Sequence, residues 1–60
     1  MTAERALSIL VVDDEAIVRE SLGGWFRDDG HAVATAASAR EALQLVADPA
    51  QRFDIALLDI

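Results

Sequence analysis

The stretch Ser8-Ile9-Leu10-Val11-Val12-Asp13-Asp14-Glu15 decides the fold of this chain. From Ile9 to Val12 it is unbroken apolar sequence, largely β-branched. A run without polar alternation fits a strand covered on both faces, as in a parallel sheet. A strand is therefore assigned to Ser8 to Val12, and it runs straight into three acids. A second run, Asp54-Ile55-Ala56-Leu57-Leu58-Asp59, also closes on an acid. Two such strands point to a divalent-cation site above the C-terminal ends of a parallel sheet.

Between these strands the pattern changes period. From about Glu15 to Asp29, the residues Ile17, Val18, Ser21, Leu22, Trp25 and Phe26 recur at helical spacing. Asp13, Asp14 and Glu15 stand near the positive end of that helix. Gly23-Gly24 weakens its interior, each glycine by roughly 1 kcal/mol against alanine, and allows close packing on a neighbour. Asp28-Asp29-Gly30 is the stop, with Gly30 as a left-handed cap. His31 to Ala36 is a short strand. Ser38 caps a second helix, Ala39 to about Ala47, and Glu41 completes a capping box. Its apolar stripe is Ala39, Ala42, Leu43 and Val46, and Asp48-Pro49 breaks it. Asp54 to Leu58 is the third strand. Strand, helix, strand, helix, strand is the order of a doubly wound, flavodoxin-like α/β sheet with right-handed crossovers.

Sixty residues allow one small domain. With no cysteine, neither a disulfide nor a thiolate zinc site is available. Eleven Asp and Glu stand against five Arg, and there is no Lys. A net charge of −6 opposes nucleic-acid binding by this segment. No apolar run is long enough to span a membrane, and no signal peptide is legible. The expectation is a cytoplasmic segment with residues 1–7 as a polar lead-in.

If the first strand is central, strand order reverses between the first and third strands, where open α/β sheets bind ligands. Neighbouring strands lie about 4.8 Å apart. Asp13, Asp14 and Asp59 then converge, and three such carboxylates repel unless a cation neutralises them. Hard oxygen donors suit Mg²⁺. The plainer reading is that Asp-Asp-Glu only caps the following helix. His31 reads as a surface residue at a strand start, since one histidine without partners is weak evidence of catalysis or metal binding. Trp25 and Phe26 read as core or as exposed apolar surface.

Three segments together resemble a known family: Ile9 to Glu15, Ser38-Ala39-Arg40-Glu41-Ala42-Leu43, and Asp54 to Asp59. In this order and spacing they resemble the N-terminal half of a response-regulator receiver domain, over about Ser8 to Ile60. The resemblance implies that Asp59 is a phosphoacceptor and that Asp14 holds Mg²⁺ directly, with Asp13 acting partly through water. Asp59 completes the carboxylate set. It implies a phosphohistidine on a sensor kinase as donor, in a two-component system, and an acceptor rather than an enzyme. Val18-Arg19-Glu20-Ser21-Leu22 and Leu57-Leu58-Asp59-Ile60 resemble receivers of enhancer-binding transcription activators, whose DNA contacts belong to a separate output domain.

The sequence departs from that family in what it lacks. The family's further Mg²⁺ ligand, a backbone carbonyl two residues past the phosphoacceptor, falls beyond Ile60. Its Ser or Thr on a fourth strand and its Lys on a fifth have no counterpart. The expectation is a truncated receiver not competent alone. The alternative is a non-catalytic fragment that self-associates, or complements a second half, through the edge of its third strand. A haloacid-dehalogenase-type phosphatase wants Asp, any residue, then Asp after the first strand, and Asp13-Asp14-Glu15 breaks that pattern. A dinucleotide-binding fold wants a glycine-rich turn there, and none is present.

Overall fold

The computed structural model describes residues 6–59. The expected lead-in therefore lies mostly outside the described residues, as does Ile60. Five elements follow in order: β1 (Ser8–Asp13), α1 (Ala16–Asp28), β2 (Ala32–Ala36), α2 (Ala39–Ala47) and β3 (Ile55–Asp59). The strands form one parallel sheet in the order β2-β1-β3. The expected α/β class and strand order hold. A right-handed crossover to one side of β1 and another back to the opposite side must place the two helices on opposite faces. Gly23 of α1 approaches Val33 and Thr35 on one face. On the other, Ala42 of α2 packs with Leu10, Val12 and Ala36.

β1 is the core. Ile9, Leu10, Val11 and Val12 are the largest fully buried side chains, and all four belong to this strand. The unbroken apolar run is what burial on two faces demands. The registers are Ile9 opposite Val33 on β2 and Ile9 opposite Ile55 on β3. Asp54 pins the second register: its N–H donates to the Ser8 carbonyl at 2.8 Å, and its Oδ2 accepts from the Ser8 N–H at 2.8 Å.

The element ends differ from the sequence reading by about one residue, each for a local reason. Glu15 has extended dihedrals, φ −96° and ψ 116°, and is the N-cap of α1 rather than its first residue. At the other end Gly30 adopts φ 91°. Its N–H reaches the Arg27 carbonyl and that of His31 reaches Phe26. That pair of bonds is a Schellman cap, and it uses His31 before β2 can begin. Ser38 Oγ accepts from the Glu41 N–H at 3.2 Å. The return bond goes from the Ala37 N–H to Glu41 Oε1 at 2.9 Å, one residue earlier than in a strict capping box.

Two apolar stripes were read too broadly. In α1 the sheet-facing residues are Val18, Leu22, Gly23 and Phe26, whereas Ile17 is 82% exposed and Trp25 69%. One residue is a turn of about 100°, so Ile17, Ser21 and Trp25 form a second stripe beside the packed one. In α2, Ala42 and Leu45 meet the sheet, while Leu43 and Val46 stay largely exposed. His31 is also more than a surface residue: its Nδ1 accepts the Leu7 N–H at 3.0 Å and holds the entry to β1.

Candidate functional site

The register that pairs Ile9 with Ile55 carries on to pair Asp13 with Asp59. Both acids thus end their strands side by side, at the point where strand order reverses. Asp14 follows immediately, on the connection to α1, and is exposed. Asp13 is 3% exposed, the buried charged residue among those described, and Asp59 is open to solvent. By strand alternation, Asp13 and Asp59 share the α1 face with Ile9, Val11, Ile55 and Leu57.

Asp13 is held by two contacts. Its Oδ1 accepts the Glu15 N–H at 2.9 Å, closing a tight turn between strand and helix. Its backbone carbonyl accepts from Arg19 Nη1 at 2.8 Å. Arg19 stands four residues past the N-cap, where its own N–H bonds the Glu15 carbonyl at 3.0 Å. Helical side chains lean toward the N-terminus, so this guanidinium returns to the end of β1. The sequence alone assigns Arg19 no part at the acids. Its signal was an arginine one turn inside the helix that follows the acidic run.

Glu15, the N-cap, makes no side-chain capping bond. The capping reading therefore fits Asp13, whose Oδ1 is engaged, and Asp13 keeps its second oxygen for other use. Carboxylate oxygens are hard donors, and Mg²⁺ takes one or two of them while keeping several waters. Asp13 and Asp59 in register, with Asp14 adjacent, match that donor chemistry. Among the described residues, no group of three or more His, Cys, Asp or Glu stands together as a metal-holding cluster, so the expected three-carboxylate convergence does not appear as one.

The opposite face of the sheet carries an apolar groove of about 450 Å³, lined by Leu10, Val12, Leu43, Val46, Ala56 and Leu58 among others. It presents no group that could do acid-base or phosphoryl chemistry, so the acidic strand ends are the candidate site. No described helix is long and apolar enough to cross a membrane.

Residues 9–60 match the family model of the response regulator receiver domain. No curated protein and no solved structure matches the chain.

Proposed function

We propose that Asp59 is the phosphoacceptor of this chain, on the premise that the chain belongs to the response regulator receiver domain family. Membership supports a phosphoacceptor role in two-component signalling. The observation that carries the residue assignment is the register pairing of Asp13 with Asp59 at the reversal point of the sheet.

The donor is a phosphohistidine on a sensor kinase. A carboxylate oxygen of Asp59 attacks phosphorus, a P–O bond forms and the P–N bond breaks. The electron pair leaves with the imidazole nitrogen, which takes up a proton, and the product is an acyl phosphate. Asp59 is exposed, as an acceptor that must meet a partner protein requires. Asp13 and Asp14 concentrate negative charge beside it, so the phosphoryl group cannot approach unless that charge is offset. Asp14 and Asp59, with Asp13 assisting, would hold Mg²⁺. When bound, the ion supplies neutralisation of charge shared between carboxylate and phosphoryl oxygens.

The sequence has no lysine, so the cation that in this family meets the phosphoryl group has no counterpart among these residues. Labelling of the sixty-residue chain is therefore expected to be slow, and faster once the complementing half of a receiver is supplied. Phosphoramidate offers the same P–N bond as phosphohistidine. Incubation with it, read by intact mass with Mg²⁺ and with a chelator, should add one phosphoryl group only when Mg²⁺ is present. Rapid labelling in chelator, or labelling unchanged by Asp59→Asn, would place the chemistry elsewhere.

A second reading is favoured by the state of β3. It forms one edge of the sheet among the described residues, and Leu58 is 70% exposed and Ile55 42%. An apolar edge strand recruits a partner strand, either a second copy or a complementing segment. This reading, a non-catalytic interaction fragment, is the alternative to phosphoacceptance, and it uses the flank of β3 rather than its acidic end.

A further inference from the structure

Two contacts fix Asp13, one from the turn that follows it and one from Arg19 on α1. Arg19 Nη1 donates to the Asp13 carbonyl at 2.8 Å from a half-buried position on α1. That carbonyl oxygen and the N–H of Asp14 belong to one planar peptide unit. Holding the oxygen therefore fixes the plane from which the Asp14 backbone departs. The Glu15 N–H meanwhile holds Asp13 Oδ1 at 2.9 Å. The side chain of Asp13 and the backbone of Asp14 are thus set by separate donors, one from the turn and one from the helix.

We propose that Arg19 is a positioning residue for cation binding at the acidic strand ends. It acts through the Asp13–Asp14 peptide and does not touch the ion. This rests on the reading of Asp13, Asp14 and Asp59 as the Mg²⁺-holding set. The bland alternative is that Arg19 only satisfies a strand-end carbonyl and braces α1 against β1. The two differ in sign as well as size. A positive charge near a cation site should weaken cation binding by repulsion, so removal of a mere brace leaves affinity unchanged or raises it. Removal of a positioning contact lowers it, because outer contacts that orient ligands govern metal affinity on the order of tenfold or more.

The test titrates Mg²⁺ alone into the full chain and follows the backbone amide signals of Asp13, Asp14 and Asp59 by NMR. Asp59→Asn is the control for the underlying reading: its affinity should fall, and an unchanged affinity would remove both that reading and this proposal. With that control met, Arg19→Ala should bind Mg²⁺ about tenfold more weakly. Arg19→Lys, which keeps a donor on a long stem, should recover most of the loss, and Arg19→Gln, whose amide is shorter, little. Far-UV circular dichroism reports whether each variant folds. If Arg19→Ala does not fold, the Lys and Gln variants decide, and equal affinity in the two would overturn the proposal. So would wild-type or tighter binding in a folded Arg19→Ala.

Discussion

At Asp13 the capping and the metal-holding readings ask different things of one side chain. The turn needs only an oxygen acceptor for the Glu15 N–H, whereas a cation needs charge. Asparagine keeps the oxygen and loses the charge. Asp13→Asn should therefore hold stability within about 0.5 kcal/mol, while Asp13→Ala, which also loses a hydrogen bond, should cost about 1 kcal/mol. Paired chemical denaturation and Mg²⁺ titration separate the two. Weakened Mg²⁺ binding in a stable Asp13→Asn, and in Asp14→Asn, supports the proposed site, and equal binding in the double variant would reduce both acids to helix-capping groups. The acids themselves were legible, because carboxylates at the ends of apolar strands are conspicuous. Arg19 was not, since its contact depends on the direction a side chain leans along a helix rather than on spacing alone.

Element by element, the apolar periods gave the strands and helices, and local chemistry placed their ends. Ser38 with Glu41 and Asp29 with Gly30 act within a few residues of chain, which is why these caps could be anticipated. The buried face of each helix could not be read as finely. Ile17 and Trp25 are as apolar as Val18 and Phe26, and only the position of the sheet selects between the stripes. The glycine pair shows the same division. Gly23 is buried, and a Cβ there would stand 3.6 Å from Val33 and 3.7 Å from Thr35, ordinary contact distances. At Gly24 a Cβ would meet nothing within 4 Å. Gly24→Ala should stabilise the chain by about 1 kcal/mol, the difference in helix propensity. A raised unfolding midpoint at unchanged denaturant dependence would bear this out, and destabilisation would mean that Gly24 packs against something other than this sheet.

For the whole molecule, the deciding fact is where the core lies. Its four largest fully buried side chains all come from β1, with a helix on each face and, among the described residues, no strand beyond β3. A chain of this size buries only about 60% of its unfolded surface, and here Leu43, Val46 and Leu58 remain more than half exposed around one groove. On the interaction reading, the sixty-residue chain associates through this flank. Sedimentation across a concentration series should show a mass that rises with concentration, and Leu58→Lys should suppress the rise. A concentration-independent monomer with a cooperative thermal transition would show that β1 and its two helices hold the fold alone. The register that places β3 at the sheet edge among the described residues is also the one that sets Asp59 beside Asp13, so the fold and the proposed chemistry stand on a single pairing. That pairing was inferred from strand order, and its precise partner residues came only with the structure, since hydrophobic pattern fixes which face is buried but not which residue lies opposite. The most direct measurement locates the phosphoryl group itself. The chain is treated with phosphodonor and Mg²⁺, reduced with borohydride to convert an aspartyl phosphate to homoserine, and mapped by peptide mass. The account predicts homoserine at position 59 and nowhere else, absent in Asp59→Asn. Conversion at another acid, or a label that survives in Asp59→Asn, would contradict it.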